Sequence, residues 1–147
     1  MARMKLVLDG DACTGCFACE VACKQEHGLP AGPKILRIRG RAESTGGRLR
    51  LRYEMTVCHH CDNAPCVEVC PTEALVREED GLVLVRPEDC IECLECLDAC
   101  QYGVPELDSD LGAIVLCDQC RERTARGARP SCEHHSHAGA IRLVEAG

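Results

Sequence analysis

The chain has 147 residues, one domain-sized unit, and a formal charge of −7. One Phe, two Tyr and no Trp exclude an aromatic core, so its fifteen cysteines must carry much of the architecture. The acidic balance argues against a nucleic-acid partner, and no apolar run approaches the roughly 20 residues that cross a membrane. The opening MARMKLVLDGDAC has no apolar signal core and no twin arginine, so the expected compartment is the reducing cytoplasm.

Residues 4–8 read as a short strand, and Asp9-Gly10-Asp11 turns the chain into the first cysteines. From Phe17 to about His27 the pattern predicts a helix carrying Cys19 and Cys23 at i and i+4, ended by Gly28 and Pro30. A hairpin follows over 34–53. Leu36 and Ile38 alternate with Arg37, Arg39 and Arg41; after a Ser44-Thr45-Gly46-Gly47 turn, Leu49, Leu51 and Tyr53 alternate with Arg48, Arg50 and Arg52. Period-2 alternation predicts a half-buried ribbon with six arginines on one face, a candidate docking surface for an acidic partner. Two short strands, 74–76 and 82–85, flank a turn at Glu79-Asp80-Gly81. Residues 111–116 lead into Cys117, a helical stretch from Asp118 is cut by Gly127 and Pro130, and a short helix opens at Cys132. Ala140–Val144 reads as a last strand able to pair with residues 4–8.

One cysteine motif repeats four times along this frame. Cys13-x2-Cys16-x2-Cys19-x3-Cys23 comes first, then Cys58-x2-Cys61-x4-Cys66-x3-Cys70-Pro71, then Cys90-x2-Cys93-x2-Cys96-x3-Cys100. The fourth runs Cys117-x2-Cys120, resumes at Cys132 and ends on Ser136. This C-x2-C-x2-C-x3-C run is the bacterial ferredoxin signature for a [4Fe–4S] cluster. A disulfide framework fits an odd cysteine count poorly, and zinc prefers two separated C-x2-C pairs to runs of three. Metal loading and folding are expected to be coupled. Filling four sites would take the net charge to about −14.

In two-cluster ferredoxins the fourth cysteine of each motif serves the other motif's cluster. Site 1 is then Cys58, Cys61, Cys66 and Cys100, and site 2 is Cys90, Cys93, Cys96 and Cys70. Site 3 is Cys117, Cys120, Cys132 and Cys23. Site 4 has Cys13, Cys16 and Cys19, with its last ligand due at position 136. Three outcomes stay open there. His135 or His137, each about 100° round a helix from Ser136, supplies imidazole to a complete cube; Ser136 binds through oxygen, a harder donor than thiolate; or the corner is empty and the cluster is [3Fe–4S]. The expected fold class is α+β, two nested ferredoxin-like modules: an outer one over 1–55 and 111–147 that includes the arginine hairpin, and an inner one over 56–110.

The chain resembles the four-cluster, ferredoxin-like electron-transfer subunits of molybdenum- or tungsten-pterin oxidoreductases, formate-hydrogenlyase-type hydrogenases and carbon monoxide dehydrogenases. The resemblance rests on Cys13-Thr14-Gly15-Cys16, Cys58-His59-His60-Cys61, Ala64-Pro65-Cys66, Cys70-Pro71-Thr72-Glu73-Ala74-Leu75, Tyr102-Gly103-Val104-Pro105 and Cys117-Asp118-Gln119-Cys120. With Ala22-Cys23-Lys24-Gln25-Glu26-His27 it looks most like the small subunits of tungsten-dependent aldehyde oxidoreductases. The resemblance implies a bent wire of four clusters, a larger catalytic subunit as partner and a further redox subunit or carrier. Three features depart from the pattern: Ser136; Glu92, where glycine is usual; and Lys24, Gln101 and His137, where proline usually follows the last cysteine. The expected function is single-electron relay, not catalysis. The alternative is the same relay in a hydrogenase or carbon monoxide dehydrogenase complex; chemistry or sensing at the odd cluster comes after it, since no substrate domain, dinucleotide fingerprint or P-loop supports it.

Overall fold

The computed structural model describes residues 2–147. Its elements are short because the cysteine loops interrupt them. In order they are β1 (Met4–Leu8), α1 (Ala18–Glu26), β2 (Arg37–Thr45), β3 (Arg48–Thr56), α2 (Pro65–Glu68), β4 (Leu75–Arg77), β5 (Val83–Val85), α3 (Glu95–Ala99), β6 (Glu106–Asp108), β7 (Ala113–Val115), α4 (Arg121–Ala125), α5 (Ser131–His134) and β8 (Ile141–Glu145). The strands form four antiparallel two-stranded ribbons, β1–β8, β2–β3, β4–β5 and β6–β7. It is a small mixed helix–strand fold.

The first and last strands pair, with Met4 opposite Glu145 and Leu8 opposite Ile141. Helix α1 ends where the sequence predicts: Gly28 is left-handed at φ 60°, and the Leu29 amide donates back to Lys24 O at 2.9 Å. The Lys24 ammonium then clamps the exit loop by donating to Pro30 O and Pro33 O, both at 2.7 Å.

The hairpin departs from expectation in two ways. The strands run to Thr45 and from Arg48, so only Gly46 and Gly47 turn; both have positive φ, as a type I′ turn requires. The ribbon is also half-buried only at its base. Ile38 is buried and Tyr53 and Met55 partly so, whereas Leu49 is 76% and Leu51 63% exposed. Nine-residue strands reach about 30 Å, beyond anything the tip could pack on. All six arginines do share one face, since Arg37, Arg39 and Arg41 stand opposite Thr56, Glu54 and Arg52, and Arg50 and Arg48 opposite Glu43 and Thr45.

The β6–β7 hairpin is a feature the sequence reading did not anticipate. Asp108 builds its turn by accepting the amides of Asp110 and Leu111 at 3.0 and 3.2 Å. This hairpin spans the 110/111 boundary of the expected division. Its second strand feeds two apolar clusters: Val115 packs with Ile35, Leu36, Ile38, Val57 and Ile141, and Ile114 with Ala64, Leu75, Val83, Val104 and Leu116. Cys58 touches both.

Candidate metal centres

Among the described residues, seven non-glycine ones have positive φ: Phe17, His60, Glu73, Glu92, Leu94, Gln119 and Cys120. Every one lies in a cysteine motif or its following turn, a placement that turns backbone N–H groups inward, the nest geometry suited to negative charge. The third residue of each C-x2-C is left-handed in all four motifs, as Gly15, His60, Glu92 and Gln119. In two of them this residue's amide donates to the first cysteine: His60 N to Cys58 Sγ at 3.5 Å and Gln119 N to Cys117 Sγ at 3.3 Å. Glu92 therefore adopts the conformation that glycine would take there. Gly15 is irreplaceable for a further reason, since a Cβ would lie 2.3 Å from the Tyr53 ring of the hairpin.

The loops gather thiols into groups. Cys58, Cys61, Cys66 and Cys100 line one cavity of about 330 Å³. All fifteen cysteines are free, and all but Cys16 and Cys93 are at least partly buried. Burial pushes the Cys58 thiol up to about 12, with the like charges of Cys66, Cys61 and Cys100 adding to it. Burial likewise lifts Cys96 to about 11, beside Cys66, Cys93 and Cys70. Cys132 rises to about 12, beside Cys23 and Cys120, and Cys117 is pushed up strongly by burial, with Cys23 and Cys132 as neighbours. Cys19 rises to about 11 by burial, beside Cys13 and Cys16. Mutually repelling buried thiols in converging sets are what an iron–sulfur core, which takes its ligands as thiolates, would relieve. The donor set fits the group.

Cys70 is the exception. Burial raises it, but the amides of Leu75, Thr72 and Ala74 and the Thr72 hydroxyl outweigh that and hold the thiol below its ordinary value. Position 136 borders the same pocket as Cys13, Cys16 and Cys19, as does His137. His135 does not line it; its Nδ1 donates to Ser131 O at 2.9 Å.

Several residues the sequence reading passed over support these loops. Glu20, buried beside Cys19, accepts the Ile38 amide at 2.6 Å and pairs with Lys34 at 2.8 Å, tying α1 to the hairpin base. His27 donates from Nδ1 to Cys23 O at 3.0 Å and from Nε2 to Asp118 at 2.9 Å, joining α1 to the Cys117–Cys120 loop. The Asp118 carboxylate raises His27 to about 11, so it is an imidazolium. A helical i+4 spacing from Cys23 was the only sequence signal. His60 is 1% exposed; its Nδ1 accepts the Val83 amide at 3.0 Å, leaving the proton on Nε2, and burial lowers it to about 4. His59 stacks on Tyr102 with centroids 4.0 Å apart, and both line the 330 Å³ cavity. Of the six arginines, Arg37 is engaged internally with Gly103 O and Glu106, and Arg41 with Glu54 at 3.3 Å.

Two family profiles, each described as a 4Fe-4S dicluster domain, match the sequence, one over residues 49–146 and the other over 12–74. The protein belongs to the 4Fe–4S dicluster family. This dicluster protein is 37% identical over 130 residues to the B subunit of the polysulfide reductase of Wolinella succinogenes, covering 86% of this sequence and 68% of that one. It is 38% identical over 127 residues to the thiosulfate reductase electron transfer subunit of Salmonella typhi, covering 84% and 66%. It is 35% identical over 144 residues to the B subunit of the anaerobic dimethyl sulfoxide reductase of Haemophilus influenzae, covering 90% and 69%. The dicluster protein spans about two thirds of the length of the curated relatives it matches. Each of these relatives is one chain of a reductase, and the Salmonella typhi one is its electron transfer subunit. They lend no support to a tungsten aldehyde oxidoreductase, hydrogenase or carbon monoxide dehydrogenase. No helix among the described residues is long and apolar enough to cross a membrane.

Proposed function

We propose that this protein relays single electrons between a catalytic reductase subunit of the molybdopterin class and a second redox subunit or carrier. When bound, iron–sulfur clusters supply one-electron storage; the protein holds them in line and sets their surroundings. Sites 1 to 4 take the cysteines assigned above, with sites 1 and 2 in an inner module nested within an outer one holding sites 3 and 4. The closing β1–β8 ribbon and the two separate apolar clusters support that nesting. Cys58, shared by both clusters of side chains, supports site 1 as the inner site that faces the outer module, and we read the order along the wire as 2–1–3–4.

The observation that carries this reading is which thiols reach the surface. Only Cys16 and Cys93 are exposed, and they belong to sites 4 and 2, the two ends. Each sits beside an exposed apolar side chain, Phe17 at 42% and Ile91 at 59%. Exposed apolar residues at both ends suit two different docking partners. The arginine face, through Arg39, Arg41, Arg48, Arg50 and Arg52, adds steering toward an acidic surface.

The test uses the complex purified with its own partners. Phe17→Glu and Ile91→Glu should each slow electron transfer about tenfold with iron content unchanged, one slowing reduction of the relay subunit and the other its oxidation by the acceptor, read by stopped-flow absorbance. If both slow the same half-reaction, or neither does, the two-ended relay fails.

A further inference from the structure

One backbone turn is found at three of the fourth-ligand positions. Cys70 O accepts the amide of Glu73 at 3.4 Å, Cys100 O that of Gly103 at 3.0 Å, and Ser136 O that of Gly139 at 2.9 Å. The residue three places on is left-handed in all three: Glu73 at φ 55°, Gly103 at 59°, Gly139 at 60°. A strand follows two of the turns after the same interval, with Leu75 opening β4 and Ile141 opening β8. Cys70, Cys100 and Ser136 are all partly buried.

Side-chain atoms add to this at position 136. Ser136 Oγ accepts the amides of Ala140 and Ile141, four and five residues on, at 3.1 and 3.3 Å. Ser136 Oγ thus sits in a cradle of two backbone amides, and it borders one pocket with Cys13, Cys16 and Cys19. Two N–H donors stabilise a negative oxygen as they stabilise a thiolate.

From this we infer that Ser136 is the fourth ligand of site 4, through its alkoxide oxygen, completing a cube there. The hydroxyl proton passes to solvent as the oxygen binds iron, so the ligand carries the same charge as a thiolate. The histidines do not compete. His135 lies outside the pocket with Nδ1 committed to Ser131 O. His137 borders the pocket but is exposed, at the corner of the turn that Pro71 and Gln101 occupy in the other two copies. The inference rests on the four-site reading proposed above.

The experiment is low-temperature EPR of the anaerobically purified, oxidised full-length protein, with iron and sulfide analysis. The wild type should show no [3Fe–4S] signal and about sixteen irons per molecule. Ser136→Ala should show that signal at about one spin per molecule, with about fifteen irons. Ser136→Cys should stay silent and shift the midpoint potential of one cluster while leaving three unchanged. His135→Ala and His137→Ala should match wild type. A [3Fe–4S] signal already present in the wild type and unchanged in Ser136→Ala would overturn the assignment, as would its appearance in His137→Ala. Should Ser136→Ala fail to fold, four unshifted potentials in Ser136→Cys would overturn it. Failure of the four-site reading is distinct: iron would fall short by whole clusters in every protein, wild type included.

Discussion

The loops around sites 3 and 1 each place a histidine beside a cluster cysteine, and the fold drives the two in opposite directions. His27 touches Asp118 and rises to about 11; His60 accepts an amide from Val83 and falls to about 4. Both have lost water to burial, which lowers each of them. The partner decides the outcome: a carboxylate at 2.9 Å outweighs burial, and a backbone N–H, which needs a neutral acceptor, reinforces it. The proposed site 3 therefore has an imidazolium, paired with Asp118, at its edge, and the proposed site 1 a neutral ring.

Removing that charge should have the largest effect. His27→Phe should lower the midpoint potential of site 3 by about 60 mV, the one-electron equivalent of 1.4 kcal/mol, while sites 1 and 2 barely move; potentiometric EPR reads each. Unchanged potentials would mean that the imidazolium is screened from site 3. Asp118→Asn is a gentler cut. It removes the largest cause of the raised pKa, so His27 should titrate at lower pH and the site 3 potential should depend more on pH than in the wild type.

The two histidines should also leave opposite marks on stability. His27 has its pKa raised on folding, so its contribution is complete below about 6.5 and is lost as pH climbs toward 11. His60 has its pKa lowered, so its contribution is complete above about 6.5 and is lost as pH falls toward 4. Denaturation midpoints from pH 7 to 5 should therefore fall less steeply in His60→Asn than in wild type, and equal slopes would contradict a buried neutral ring. The smallest effect is expected at site 2. Glu92 is exposed, and Glu92→Gln should raise that potential by less than His27→Phe lowers its own, because solvent screens it.

Much of this was legible in the sequence. Cysteine spacing announced the metal loops, and Gly28 marked the end of α1. The apolar runs at 4–8 and 140–144 foretold the strands that pair as β1 and β8. The β6–β7 hairpin was not legible, because each strand has three residues and Glu106 and Asp108 break the apolar pattern. Alternation over the arginine ribbon gave the correct faces but said nothing about what lies beneath, so Leu49 and Leu51 were expected to be covered. The His27–Asp118 contact joins residues 91 positions apart, and no local pattern encodes it. The contacts of position 136 were not legible, because the amides of Ala140 and Ile141 that fold back onto Ser136 leave no local pattern.

The β1–β8 ribbon constrains the order of events during synthesis. Its first strand leaves the ribosome early but has no partner until residues 141–145 emerge. The β4–β5 ribbon closes over a few residues and needs no such wait. A growing polypeptide can thus mature the stretch between them while β1 and β8 stay apart, and β8 draws β1 into place once it emerges.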